Sequence, residues 1–157
     1  MKRVTFRIAD GFDDPSLSND VWSNLLERGP SDVVFMTKEW QQTWWDVYGR
    51  GKLLLILAES DGNVITIAPL FADKGMIFFI GSGGSDYLDF IGDIRNKEIL
   101  EGILECALEQ VPDFCGFRFY HVLEDSDTRN TLIELEKKKT WKLYEEGSIG
   151  APMLEIA

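Results

Sequence analysis

Hydrophobic and polar positions alternate in several short segments of the chain, the pattern of half-buried β-strands. Residues 4–9 (VTFRIA) predict a first strand. Residues 53–59, 64–71 and 76–80 predict an antiparallel meander, because Asp61-Gly62 is a strong hairpin signal and the segment ADKG turns the chain again. Three later segments also predict strands, the first of them buried: 114–122, 141–146 and 152–156.

Four other segments carry apolar residues every three to four positions, the pattern of amphipathic helices. They are 18–30, 38–48, 96–111 and 126–138. Gly29 stops the first helix, Thr37 is an expected N-cap of the second, and Ser126 and Asp127 offer caps for the last. The element order β-α-α-β-β-β-α-β-α-β-β predicts an α/β (α+β) domain with a central, mostly antiparallel mixed sheet flanked by helices.

Composition limits the class of protein. The 157 residues, 45% of them hydrophobic, suffice for the core of a single domain over 1–157. No apolar run approaches the ~20 residues of a membrane span, and the start MKRVTFRIAD lacks the apolar stretch of a signal peptide. Cys106 and Cys115 are the two cysteines of the chain, and no histidine lies near them in the sequence, so we expect neither a metal site nor a disulfide framework. We therefore expect a reducing, cytoplasmic setting.

The net charge of the chain limits the classes of partner that it can bind. The formal net charge of −11 disfavours nucleic acid and anionic membrane surfaces. We therefore predict no nucleic-acid partner and no membrane partner, although a local pocket could still hold a small anion.

Four segments combine aromatic, acidic and apolar residues: VFMTKEWQQTWWDVYG (34–49), IAPLF (67–71), DYLDFI (86–91) and EDSDTRNTL (124–132). Together they resemble the CelD-like or FemAB-like acyltransferases of the GNAT family, from about Val33 to the end of the chain. The resemblance implies a GNAT-like acyl-CoA N-acyltransferase fold. Members of this family typically have two GNAT-like halves and about twice this length, and this chain resembles the first half.

The resemblance also implies where a cofactor would bind. A GNAT domain holds the acyl-CoA pyrophosphate on an Arg/Gln-x-x-Gly-x-Gly/Ala turn that opens the helix after the fourth strand. Here the glycines of 81–84 follow that strand, but the turn has no basic residue and no helix is predicted before Asn96. Asp86 and Asp89 add negative charge beside it. We interpret this as a failed phosphate loop and predict no cofactor for this chain.

The two most specific motifs supply the predicted substrate-binding residues: Trp44, Trp45, Ser82, Asp86, Tyr87 and Asp89. We expect residues 81–93 to line an open cleft beside the 38–48 helix, with Asp86, Tyr87 and Asp89 near Trp44 or Trp45.

Each candidate also has a structural interpretation. The glycines can serve only to allow positive φ, the aspartates can cap or lock turns, and Tyr87 can be a core or cleft-wall residue. In the 38–48 helix, Trp40 and Trp44 share a face that suits the core, whereas Trp45 points about 100° away and suits a rim. His121 is predicted to be a structural histidine rather than a general base.

Three hypotheses for function follow. The preferred one is an acyltransferase-family domain that supports or shapes an acceptor site and works with a second GNAT-like half. An alternative is a non-enzymatic interaction module that keeps the fold and forms a homodimer through its sheet edge or helix faces. A third is a small stand-alone N-acetyltransferase that uses acetyl-CoA.

Overall fold

In residues 2–29, 32–138, 141–150 and 154, which the computed structural model describes, four helices flank a six-stranded, mostly antiparallel sheet. The predicted mixed α/β class is confirmed. In chain order the elements are β1 (Val4–Ile8), α1 (Asn19–Arg28), a 3-10 turn (Val34–Met36), α2 (Lys38–Tyr48), β2 (Lys52–Ser60), β3 (Asn63–Asp73), β4 (Met76–Phe79), β5 (Ile91–Gly92), α3 (Lys97–Glu109), β6 (Gly116–Arg118) and α4 (Asp127–Lys137).

The predicted meander is confirmed: β1, β2, β3 and β4 are neighbours in that order and pair antiparallel. Two-residue turns join its last three strands. Asp61 and Gly62 have φ of 52° and 78°, and Lys74 and Gly75 have φ of 51° and 84°. Positive φ at both central residues is the mark of a type I′ turn, whose twist matches that of the strands it joins.

One parallel pair ends the sheet. β6 pairs with β4 over three positions, from Met76↔Gly116 to Phe78↔Arg118. The prediction of a buried strand over 114–122 is wrong in length and burial, because β6 covers only three residues and is half-buried or exposed. The chain leaves the sheet soon afterwards, since His121 adopts a φ of 61°.

The tail after α4 differs from the prediction. Residues 141–150 contain no strand, so the strand predicted over 141–146 is wrong. Side chains hold this segment instead: the Trp141 ring meets the Phe117 ring edge-on at 5.7 Å, and Arg118 pairs with Glu146 at 2.9 Å. The alternation of apolar and polar residues was not enough to form a strand next to β6, which itself pairs with β4 over only three positions. The strand predicted over 152–156 lies outside the described residues, apart from Leu154.

The helices begin and end close to the predicted positions, and side chains cap them. Thr37 Oγ1 accepts from Trp40 N at 3.3 Å at the start of α2, and Ser126 Oγ accepts from Thr128 N at 3.1 Å at the start of α4. The apolar stripe of α3 is buried against the sheet and α4. Its buried members are Ile99, Leu100, Ile103, Leu104 and Ala107.

A buried carboxylate ties the segment after β1 to the sheet. The Arg7 guanidinium donates to both oxygens of Asp14, at 2.9 and 3.1 Å, and to Glu59 on β2 at 2.9 Å. Asp14 also accepts from the backbone N–H groups of Ser16 and Asp10. These donors, Arg7 above all, hold the pKa of Asp14 well below its usual range despite its burial.

Candidate functional site

The glycine-rich segment forms a loop that leaves one sheet edge and returns to it. Ile80 N donates to Pro69 O at 2.8 Å at the end of β4, and Ile91 of β5 pairs with Ile67 on the same edge of β3. Only Ala68 separates these two contacts along β3. Residues 81–90 are therefore an Ω-loop, a compact excursion whose two ends are neighbours.

The turn at the start of the Ω-loop uses its own backbone donors. Ser82 N donates to Phe79 O at 3.2 Å and Gly84 N donates to Gly81 O at 3.1 Å. Gly81 and Gly83 both have φ of 101°, which confirms that these glycines allow positive φ. The following helix begins only at Lys97. A phosphate bound here would have no helix N-terminus beside it. The Ser82 and Gly84 N–H groups would not be free to bind it, because both already donate to backbone carbonyls.

Helix α2 fixes the first half of the Ω-loop. The Trp40 indole N–H donates to the buried Ser85 Oγ at 2.9 Å. The fully buried Gln41 donates through Nε2 to Ile80 O at 3.2 Å and to Phe35 O at 2.7 Å. Gly84 lies beside Trp44, since a Cβ on Gly84 would lie 3.7 Å from the indole nitrogen. The loop and the helix thus lie side by side, as expected from the sequence.

Asp89 fixes the second half of the Ω-loop to α4. This buried carboxylate accepts from Ser126 Oγ at 2.5 Å, from Thr128 Oγ1 and from Phe90 N at 2.8 Å. Ser126 is also the N-cap of α4. The contact joins two of the motifs on which the family resemblance rests, DYLDFI and EDSDTRNTL. Asp89 therefore lies away from solvent, in contrast to its predicted place at an open cleft.

The Ω-loop also packs on the carboxyl ends of the parallel strands β4 and β6. Leu88 N donates to His121 O at 3.1 Å, beyond the last β4–β6 pair. The Phe90 ring contacts the rings of Phe79, at 5.0 Å, and Phe119, at 5.5 Å, and those two rings also contact each other, at 4.5 Å. The carboxyl ends of parallel strands are the usual place for a ligand in an α/β sheet, and here the Ω-loop is bonded and packed there.

Solvent reaches the middle of the Ω-loop. Gly83, Gly84 and Asp86 are exposed, and Ser82 and Tyr87 are half-buried. Of the predicted site residues, Ser82, Asp86 and Tyr87 thus lie together on the loop surface, whereas Asp89 faces α4.

The two predicted tryptophans take different places. Trp44 is buried with its ring 5.5 Å from that of Phe71, and the half-buried Trp45 lies 5.8 Å from the same ring. Trp44 is thus a core residue, as its helical face suggested, and its ring also lies beside Gly84 of the Ω-loop. Trp45 contacts the sheet at Phe71, and none of its ring contacts reaches the exposed part of the Ω-loop.

Two residues matter more than the sequence indicated. Gln41 is buried at the base of the Ω-loop, although glutamine in a helix usually faces solvent. His121 is exposed, so its link to the structure is its backbone, which accepts from Leu88 N. No sequence pattern indicated its positive φ of 61°.

Comparison with models of protein families and with curated proteins gave no match. Among the described residues, no helix has the length and apolarity needed to cross a membrane. In the same part of the chain, no group of three or more His, Cys, Asp or Glu residues is arranged to hold a metal ion.

Proposed function

We propose that this chain is a GNAT-like acyltransferase domain of the CelD-like or FemAB-like type, in the half that supports an acceptor site and does not bind acyl-CoA. The order of elements supports this. Two helices follow β1, an antiparallel meander leads to β4, and the chain then passes through β5 and α3 to β6, a parallel neighbour of β4. Together with the four motifs, this order of elements supports the proposal.

The Ω-loop packed on the carboxyl ends of β4 and β6 carries the proposal. In a GNAT domain the acyl-CoA pyrophosphate would lie on the turn after the fourth strand, at the start of the next helix. Here that turn leads into the Ω-loop, whose Leu88 and Phe90 are bonded and packed at these strand ends, and Asp86 adds an exposed carboxylate to the same segment. Loss of cofactor binding removes the proximity effect, which is worth up to about 7–11 kcal/mol in such reactions. The chain alone is therefore expected not to transfer an acyl group.

The exposed side of the Ω-loop supports the acceptor role. Asp86 and Tyr87 offer a carboxylate and a phenol on a loop that α2 and α4 hold from both sides. The Ser82 hydroxyl donates to Phe79 O at 2.7 Å, so it offers its oxygen as an acceptor. A loop fixed at both halves loses little entropy when it binds a ligand. The reacting acyl group would come from a second GNAT-like half, either on another chain or on another part of the same protein.

Titration of acetyl-CoA into the purified chain by calorimetry tests the proposal, with Gly83→Ala as the comparison variant. We expect no saturable heat for either protein. Saturable binding in the micromolar range that Gly83→Ala weakens would overturn the proposal and favour the small stand-alone acetyltransferase.

A homodimerising interaction module is the second candidate, because α2 leaves apolar surface uncovered. Val47 and Tyr48 are each 65% exposed on the last turn of α2, and β6 lies at an edge of the sheet that the described residues form. Sedimentation velocity distinguishes this candidate from the first. A dimer that Val47→Lys dissociates and Asp46→Lys leaves intact would favour it, and a monomer at all concentrations would exclude it.

A further inference from the structure

Three aromatic rings lie next to one another beside the exposed part of the Ω-loop. The rings of Phe35 and Trp40 meet at 4.9 Å with an interplanar angle of 88°, and the rings of Phe35 and Tyr87 lie 6.2 Å apart at 61°. All three side chains are half-buried, so each is packed on one side and open to solvent on another. We call Phe35, Trp40 and Tyr87 the aromatic corner.

Hydrogen bonds around the aromatic corner hold it in place without a ligand. The Trp40 N–H is fixed by Ser85 on the Ω-loop, and the backbone carbonyl of Phe35 is held by Gln41. Tyr87 precedes Leu88, whose N–H is bonded to His121 O. The three rings come from the 3-10 turn, α2 and the Ω-loop, so the corner forms only in the folded chain.

An exposed carboxylate adjoins the aromatic corner in the chain. Asp86 follows Ser85, which contacts Trp40, and precedes Tyr87, which contacts Phe35. In the described part of the chain, no ion pair involves Asp86, and the two arginines that lie over rings contact Phe71, Phe78 and Tyr120 instead. The whole chain has a net charge of −11.

We propose that the aromatic corner and Asp86 bind an organic ammonium group, quaternary or bearing a bulky alkyl substituent. Aromatic faces attract such cations through their negative quadrupole, and the carboxylate adds a direct charge interaction. The net negative charge of the protein steers cations toward it. The inference rests on the proposed function in one respect, since it assigns the chemistry of the ligand to the exposed side of the same Ω-loop.

Choline is the probe, and its uncharged analogue, in which a carbon atom replaces the quaternary nitrogen, is the matched control. Two-dimensional proton–nitrogen NMR follows the Trp40 indole N–H, assigned with Trp40→Phe, and the amides of the Ω-loop. We expect saturable shifts of these signals with choline, and binding of the uncharged analogue at least about fivefold weaker. Equal shifts with both ligands, or no saturable shift with choline, would overturn the proposal.

Substitutions locate the site. Tyr87→Leu removes one ring and Asp86→Asn removes the charge at an exposed position, and each should weaken choline binding at least about threefold. The matched controls on α2 are Tyr48→Leu and Asp46→Asn, which should leave binding unchanged. Choline binding that Asp86→Asn and Tyr87→Leu both leave unchanged, or that the control substitutions weaken equally, would also overturn the proposal.

The proposed function and the cation site fail in different experiments. Micromolar binding of acetyl-CoA would refute the first, and the choline shifts, recorded without acetyl-CoA, would stay as they are. Absence of choline binding would refute the second and leave the cofactor titration unaffected.

Discussion

Replacing Ser126 by alanine tests the link between the Ω-loop and α4. Ser126 is buried and performs two tasks: its Oγ accepts from Thr128 N as the N-cap of α4, and it donates to Asp89 Oδ2. Ser18 is the matched control, because its exposed Oγ caps α1 by accepting from Val21 N. The two variants therefore share the loss of a cap and differ in the contact with the carboxylate.

The structure gives the expected magnitudes. Loss of a serine cap costs about 0.5–2 kcal/mol of folding free energy, and loss of a buried hydrogen bond to a charged group costs a further ~1.5–3 kcal/mol. Ser126→Ala should therefore destabilise the chain by about 2–5 kcal/mol, and Ser18→Ala by about 0.5–1 kcal/mol because its cap is exposed. For a chain of this length these values correspond to decreases in Tm of roughly 4–20 °C and 1–4 °C.

Urea unfolding and thermal melts measure the two free energies. Hydrogen exchange adds a local measurement, since Ser126→Ala should speed the exchange of the Leu88 amide, and Ser18→Ala should not. Equal destabilisation by the two substitutions, with unchanged exchange at Leu88, would show that the contact between Asp89 and Ser126 does not hold the Ω-loop.

Two further predictions concern other parts of the chain. Asp14→Asn should lower stability at neutral pH. The lowered pKa of Asp14 stabilises the fold in full above about 3.9, the ordinary carboxyl pKa, and this contribution is lost progressively as the pH falls from there toward the lowered pKa. The difference in stability from the unsubstituted chain should therefore shrink below about pH 3.9; urea midpoints at several pH values measure this, and a constant difference would contradict it. Gly92→Ala should lower the free energy of unfolding more than Gly83→Ala. The φ angle is positive at both glycines, but a Cβ at Gly92 would lie 2.3 Å from Ile65 O, whereas a Cβ at Gly83 would have no atom within 4 Å. Strain of this kind costs about 1–3 kcal/mol, and thermal melts that show equal losses would refute the comparison.

The parts of the fold that local signals determine could be predicted from the sequence. The Asp61-Gly62 turn and its counterpart before Met76 fix the registers of the meander, and Thr37 and Ser126 fix where their helices begin. Turns and caps act within four residues, so a single sequence contains them in full.

The Ω-loop contacts could not be predicted, because they join residues far apart in the chain. Asp89 meets Ser126 across 37 positions and Trp40 meets Ser85 across 45. The sequence placed Asp86 and Asp89 in the same segment but did not indicate which of the two would be buried. The strand predicted over 141–146 failed because alternation indicates that a segment suits a strand, not that a partner strand lies beside it.

One segment, 81–90, accounts for both proposals. Its second half places Leu88 and Phe90 on the carboxyl ends of β4 and β6, and its first half supplies Ser85 to the aromatic corner. Because both halves are bonded to the rest of the domain, the loop cannot leave the strand ends without also disturbing the corner. Binding of a cofactor at the strand ends and of a cation at the corner should therefore exclude each other, since each needs a different position of the same ten residues.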